Sequence, residues 1–136
     1  MNSLVKSFVV GSSLPATVWT FSYLGAAYRK HPTDALPMTA VPIAVPALFG
    51  IVNAAVNAIP TSTSIGYTIR MFIVGALFGL GLSLFGTFGL NLPVKLFQAP
   101  PSERFKYLLI APIIYAFIWG IVVNYLNRYF GLVKFK

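Results

Sequence analysis

Residues 71–94 read MFIVGALFGLGLSLFGTFGLNLPV and carry no charged side chain. A helix needs about 20 predominantly apolar residues to cross the hydrocarbon core of a bilayer, so this stretch is long enough for one crossing. The chain contains three more neutral runs, at positions 7–28, 35–69 and 107–127. Each run has room for one membrane-spanning helix, and the 35–69 run has room for a loop as well.

The amino-acid composition also indicates a protein that lies in a lipid bilayer. The 136 residues include ten Lys+Arg and two Asp+Glu, which gives a net charge of +8, and only 9% are charged while 57% are hydrophobic. A soluble domain carries about 25% charged residues, so this chain has too few to cover a water-facing surface. We therefore predict an all-α, polytopic integral membrane protein whose partner is the lipid bilayer. Four transmembrane helices, at about 5–27, 36–59, 68–90 and 107–127, form a small bundle within a single transmembrane domain, residues 1–136.

The reactive side chains are too few for most chemistry. The chain has no Cys, one His and two acidic residues, Asp34 and Glu103, both in predicted loops. Disulfides, thiolate metal sites and cysteine nucleophiles are therefore excluded. We predict no catalytic residues, no metal site and no cofactor, so the protein is not expected to be an enzyme. The basic residues flank the spans instead of forming one patch, which does not favour a nucleic-acid partner.

The third predicted helix carries small and polar residues at every fourth position. They are Gly75, Gly79, Ser83, Thr87 and Asn91. Small side chains let two helix backbones approach closely in a membrane, where close packing and hydrogen bonds drive helix association. The spacing therefore predicts a helix-packing seam along 75–91. The alternative is a narrow polar wall of a pore that widens toward Asn91.

The second predicted helix has three prolines and two asparagines. Pro37, Pro42 and Pro46 fall in its first half, and each lacks an N–H and blocks a carbonyl one turn earlier. We expect this half to be kinked or partly unwound, as a static kink or as a broken helix lining a site. Asn53 and Asn57 share one face and predict hydrogen bonds across a tight helix interface, or an aqueous path. Pro42, Pro46, Asn53 and Asn57 are thus the candidate pore or polar interface.

The connection before the third helix is rich in hydroxyl groups. Residues 60–64, PTSTS, offer oxygens that can cap the N-terminus of that helix. The next residues, 64–68 (SIGYT), resemble the selectivity filter of potassium channels, which implies a loop of ion-coordinating carbonyls. Thr68 stands where that filter has its second glycine, and Arg70 follows where an acidic residue is common.

The basic residues do not indicate an orientation. With four spans, one side of the membrane holds Lys6, Arg70, Arg128, Lys134 and Lys136. The other side holds Arg29, Lys30, Lys95, Arg104 and Lys106. The excess of Lys and Arg that marks cytoplasmic loops is therefore missing. One interpretation is an organellar, viral or helper-inserted protein in which this bias is weak, and the other is dual topology with antiparallel homodimers. Residues 128–136 alternate basic and apolar side chains, which predicts an amphipathic tail on an anionic leaflet.

Two functional hypotheses follow. The first is a non-enzymatic multi-pass membrane protein that acts in membrane structure or complex assembly, as a homo-oligomer or as a subunit of a membrane complex. It explains the scarcity of reactive groups and the many packing motifs. The second is a small homo-oligomeric channel or facilitator for a neutral solute or anion. It explains the proline-rich helix, the Asn pair and the absence of acidic residues from the predicted spans.

Overall fold

The computed structural model describes residues 2–28, 35–97 and 100–135, without the side chains of 19–28, 35–42 and 95–97. Within this part the regular elements are all helical, which confirms the all-α prediction. The only β contact there is an isolated parallel bridge between Thr61 and Phe135. In chain order the elements are α1 (Ser3–Tyr28), α2 (Ala35–Ala58), α3 (Ser64–Leu84), a π-helical turn (Phe85–Gly89), α4 (Leu92–Phe97), a 3-10 turn (Pro101–Glu103), α5 (Arg104–Phe117), a second π-helical segment (Ile118–Val123) and α6 (Asn124–Tyr129).

Two helical stretches are long and apolar enough to cross a membrane. Ser64–Gly89 has 26 residues and Pro101–Tyr129 has 29. At ~1.5 Å per residue each is about 40 Å long, against a hydrocarbon core of about 30 Å. They correspond to the third and fourth predicted spans. The apolar helices Ser3–Val18 and Ile43–Ala58 are shorter within the described side chains, so the first two spans remain predictions.

The second helix is not unwound at its prolines. α2 runs as α-helix from Ala35 to Ala58 without interruption. Pro37 lies in its first turn, where the backbone N–H groups have no helical partner, and proline is tolerated there. The expectation of a partly unwound half, and of a broken helix lining a site, is therefore wrong.

α3 starts earlier than the sequence pattern suggested, at Ser64, because a cap residue precedes it. Thr63 is extended, with φ −141° and ψ 154°, and its Oγ1 accepts a hydrogen bond from the backbone N–H of Gly66 at 3.0 Å. This bond satisfies one of the N–H groups that the first helical turn leaves without a backbone partner. The predicted capping role of the hydroxyl-rich segment is confirmed.

α6 ends in a glycine turn. Gly131 has φ +64°, a left-handed conformation that glycine adopts without a steric penalty. Its N–H donates to the Arg128 carbonyl at 3.0 Å, and the N–H of Leu132 donates to the Asn127 carbonyl at 2.8 Å. This is the Schellman arrangement that satisfies the last carbonyls of a helix.

The residues after this turn are held by the fold. Leu132 is buried, and the N–H of Thr61 donates to the Lys134 carbonyl at 3.0 Å. The prediction of an amphipathic tail starting at residue 128 therefore needs correction. Its first two residues are helical, and the following ones fold back against Thr61.

The chain divides into two compact units. The terminal unit comprises Met1–Thr61 and Leu126–Lys136, and the central unit comprises Ser62–Tyr125. Each has its own apolar core. In the terminal unit the buried apolar side chains are Val10, Val45, Phe49, Val56 and Leu132. In the central unit they are Tyr67, Met71, Trp119 and Val123.

Candidate functional site: buried polar and small residues between helices

Four of the five predicted seam residues share a buried face. Gly75, Gly79, Ser83 and Thr87 are buried in the central unit, each one helical turn from the next. Asn91 does not continue this face, because it is exposed and has a left-handed φ of 53°. It lies beyond the π-helical turn, where the four-residue spacing no longer keeps side chains on one face. Asparagine is among the few residues that accept this backbone conformation.

The two seam glycines lie against the α5 backbone and the π-helical segment that follows it. A Cβ placed on Gly75 would be 2.6 Å from the Trp119 Cβ and even closer to the Tyr115 carbonyl oxygen. A Cβ on Gly79 would be 2.7 Å from the Tyr115 Cβ and 2.9 Å from the Ala111 carbonyl oxygen. The helices are antiparallel, because residue 75 meets 119 while residue 79 meets 111. Only glycine permits this approach at the two positions.

Aromatic rings of both helices pack around this contact. The Phe78 ring lies 6.1 Å from the Tyr115 ring and 5.8 Å from the Trp119 ring, measured between centroids. On the opposite helix Gly120 leaves space for Phe72, whose ring atoms would be 2.5 Å from an added Cβ. Each helix therefore has a glycine that leaves space for a large side chain of the other helix. Sequence reasoning missed Gly120, although its place in an apolar run was a signal of close packing.

Asn124 and Ser83 form hydrogen bonds within the central unit. The Asn124 Nδ2 donates to the Thr68 Oγ1 at 3.1 Å and to the Gly120 carbonyl at 3.0 Å, which links α6 to α3. The Ser83 hydroxyl donates to the Leu80 carbonyl at 2.9 Å, within its own helix. In a medium without water such partners are required, because an unsatisfied polar group costs several kcal/mol.

The terminal unit holds a buried amide pair. Asn53 and Asn127 are both fully buried and exchange reciprocal hydrogen bonds, at 2.9 Å from the Asn53 Nδ2 and 2.7 Å from the Asn127 Nδ2. The Asn53 Nδ2 also donates to the Ser7 carbonyl at 2.7 Å. One side chain of α2 therefore joins α1 and α6. Gly11 makes room for it, since a Cβ there would be 2.5 Å from the Asn53 Cβ.

Two of the remaining predicted residues of the second helix are also buried. Asn57 is buried one turn beyond Asn53, and Pro46 is buried as well. Pro42 falls at a helical position whose side chain lies outside the described residues. The structure thus brings Asn53 together with Ser7 and Asn127. Sequence reasoning did not foresee that pairing across three helices.

The segment that resembles a potassium filter has a different conformation. Residues 64–68 form the first turn and a half of α3, and the N–H of Tyr67 donates to the Thr63 carbonyl at 3.1 Å. The carbonyls of a helix point along its axis, toward the N–H groups one turn later, and not into a pore. The filter interpretation is therefore wrong.

The site is a set of helix contacts, in which the amides of Asn53, Asn124 and Asn127 bond to other protein atoms. Within residues 2–28, 35–97 and 100–135, no three His, Asp or Glu side chains come together to hold a metal ion. These residues form hydrogen bonds and allow helix backbones to approach closely. No protein-family model, no curated protein and no solved structure matches this chain.

Proposed function

We propose that this chain is a four-span integral membrane protein that acts without catalysis, in membrane structure or in the assembly of a membrane complex. One observation carries the proposal: the buried amides of Asn53, Asn124 and Asn127 bond to other helices, while large apolar side chains face outward. A bilayer favours this distribution, because lipid cannot pair with amides but does solvate hydrocarbon.

The outward face of the central unit supports a location in lipid. One side of the stretch Ser64–Gly89 exposes a continuous row of large apolar side chains about one turn apart. They are Ile65, Ile69, Ile73, Leu77, Leu80, Leu84 and Phe88. α5 exposes a comparable row, formed by Phe105, Leu109, Ile113 and Phe117. Soluble monomers rarely expose contiguous apolar patches of this kind.

The first two helices support the count of four spans. α1 has 26 residues and α2 has 24, so each is long enough to cross the hydrocarbon core. The Phe8 ring lies against Gly50, and the Ser7 carbonyl accepts from Asn53, so the two helices pair antiparallel. An apolar antiparallel pair with a buried amide matches the packing of membrane helices.

The polar contacts favour a structural role over a pore. Asn53, which was a candidate for an aqueous path, bonds to Ser7 and Asn127. Gly75 and Gly79 lie against a neighbouring helix backbone, so they do not border an open channel. Tightly packed, internally bonded helices are suited to present a fixed apolar surface to a partner, which is either a second copy or another membrane protein.

Cysteine labelling distinguishes four spans from two. The chain has no cysteine, so each introduced thiol is unique. With four spans, a thiol at Asp34→Cys reacts from the same side as Glu103→Cys, and a thiol at Thr63→Cys reacts from the opposite side. If only the stretches Ser64–Gly89 and Pro101–Tyr129 cross, Asp34→Cys reacts from the side of Thr63→Cys. That result, or extraction of the protein by alkaline carbonate, contradicts the proposal.

A second experiment tests the functional class. After solubilisation in a mild detergent, the protein is expected to remain in a stoichiometric complex with itself or with another membrane protein. The purified protein is expected to give no solute or anion flux in liposomes. Flux that falls in both Asn53→Leu and Thr87→Val variants would support the channel hypothesis instead. The Leu80→Ile variant is the matched control, because Leu80 faces outward.

A further inference from the structure

We propose that the terminal unit binds the phosphate headgroups of anionic phospholipids at the end where α1 begins and α6 ends. The binding residues are Lys6, Arg128 and Lys134. This inference depends on the membrane location proposed above, and it names the lipid class that this end recognises.

The buried amide of Asn53 brings the first two cations to the same end. Its Nδ2 donates to the Ser7 carbonyl at 2.7 Å and to the Asn127 Oδ1 at 2.9 Å, so residues 7 and 127 meet at one nitrogen atom. Lys6 and Arg128 are their immediate neighbours in sequence, and both side chains are exposed. Two distant segments therefore present a cation beside one buried contact.

The glycine turn carries the third cation to this end. The Leu132 N–H bonds to the Asn127 carbonyl at 2.8 Å, and the Thr61 N–H bonds to the Lys134 carbonyl at 3.0 Å. The backbone on both sides of the turn is thus fixed, while the Lys134 side chain is exposed. A preorganised backbone loses less entropy on binding than a free tail would lose.

The described residues of the terminal unit include basic side chains and no acidic ones. The chain has only two acidic residues, Asp34 and Glu103. Asp34 lies outside the described residues. Glu103 belongs to the central unit and forms an ion pair with Lys106, at 2.9 Å between Oε1 and Nζ. The described side chains of the terminal unit therefore give it a net positive charge, which attracts an anionic headgroup.

The surroundings of the cations fit a lipid surface better than a soluble anion. Exposed apolar and aromatic side chains flank the basic ones in both segments. They are Leu4, Val5 and Phe8 around Lys6, and Tyr129, Phe130 and Phe135 around Arg128 and Lys134. Aromatic side chains favour the headgroup level of a bilayer, and basic side chains near an anionic leaflet gain from its negative potential. A soluble phosphate site needs no such apolar border.

Quenching by brominated lipids tests the proposal on the full-length protein. A fluorophore is attached at Ser3→Cys, an exposed position at this end, or at Ser102→Cys in the central unit as a control site. The vesicles are phosphatidylcholine with either brominated phosphatidylglycerol or brominated phosphatidylcholine. At Ser3→Cys, we expect preferential quenching by brominated phosphatidylglycerol. We expect each Lys6→Gln, Arg128→Gln or Lys134→Gln change to lower that preference by roughly fivefold.

The controls separate this inference from the membrane location. Lys106→Gln also removes one positive charge, but it lies in the central unit and is paired with Glu103, so it should leave the preference at Ser3→Cys unchanged. A preference that survives in the triple Gln variant, or that Lys106→Gln lowers equally, overturns the inference. Equal quenching by both lipids also overturns it and leaves the membrane location intact. Absence of quenching at both labelled positions, by either lipid, refutes the membrane location as well.

A final arm identifies the source of the phosphate group. Inorganic phosphate and chloride are compared at equal ionic strength, so that general screening of charge is the same in both. If the three cations bind lipid headgroups, the two salts lower the preference for phosphatidylglycerol equally. A preference that disappears only in inorganic phosphate indicates a site for the soluble anion, and contradicts the assignment to lipid.

Discussion

The close contact between α3 and α5 predicts opposite outcomes for one substitution at two glycines of the same helix. In Gly75→Ala the added Cβ would be 2.6 Å from the Trp119 Cβ and 3.0 Å from the Ala116 Cα. Ordinary van der Waals contact starts at 3.4 Å, and the opposing atoms belong to the backbone or to a Cβ, so a rotamer change cannot relieve the clash. In Gly81→Ala the added Cβ meets no atom within 4 Å.

The expected difference follows from these distances. Overpacking a well-packed contact costs about 1–3 kcal/mol. Alanine also favours a helix over glycine by ~0.5–1 kcal/mol, but that gain applies at both positions and cancels in the comparison. Gly75→Ala should therefore have a free energy of unfolding about 1–3 kcal/mol lower than Gly81→Ala. Gly79→Ala, whose Cβ would be 2.7 Å from the Tyr115 Cβ, should fall in the destabilised class.

Reversible unfolding in mixed micelles, driven by increasing the fraction of sodium dodecyl sulfate, measures this difference. The chain has two tryptophans, so Trp19→Phe leaves Trp119 as the only reporter. Trp119 is fully buried beside Gly75, and its fluorescence should change when the helices separate. If Gly75→Ala and Gly79→Ala unfold at the same detergent fraction as Gly81→Ala, the helices do not approach as closely as these distances indicate.

Two further predictions concern the terminal unit and use the same unfolding measurement. Asn53→Leu and Asn127→Leu should each cost about 1–3 kcal/mol, because each leaves the opposite buried amide without its present partner, while the double variant should cost less than the sum. Strict additivity would show that the two amides do not interact. Gly131→Ala should cost about 1 kcal/mol through backbone strain alone, since its Cβ would meet no atom within 4 Å, and Gly131→Asn should cost less. Equal stability of the Ala and Asn variants would contradict the role of the left-handed turn.

The features that the sequence predicted well are local ones. The neutral run at 71–94 predicts one long apolar helix. The fourfold spacing from Gly75 to Thr87 predicts that these residues share one face of that helix, and periodicity alone is enough for this prediction. The segment 60–64 was recognisable as a source of helix caps, because a capping bond such as that between Thr63 and Gly66 spans only three residues. Such signals depend only on neighbours along the chain.

The features that the sequence did not predict depend on distant partners or on where a helix stops. Asn53 and Asn127 are 74 positions apart, and no spacing rule selects one asparagine as the partner of another. Asn91 continues the fourfold pattern in the sequence. In the structure it follows the end of the helical stretch and has a left-handed backbone conformation, so it does not lie on the buried face. The three prolines suggested an unwound segment, whereas α2 remains helical throughout. Local rules give the free-energy cost of placing a residue such as proline in a helix. Tertiary contacts determine whether the fold compensates for that cost.

The origin of the terminal unit from both ends of the sequence has a consequence for biogenesis. Leu126–Lys136 belongs to the same compact unit as Met1–Thr61, and the central unit lies between them in the chain. During synthesis, Asn53 emerges from the ribosome 74 residues before its partner Asn127. The polar contact of Asn53 therefore stays incomplete while the central unit is synthesised. In this interval the Asn53 amide has its bond to the Ser7 carbonyl, and its bonds to Asn127 form only once α6 has been synthesised.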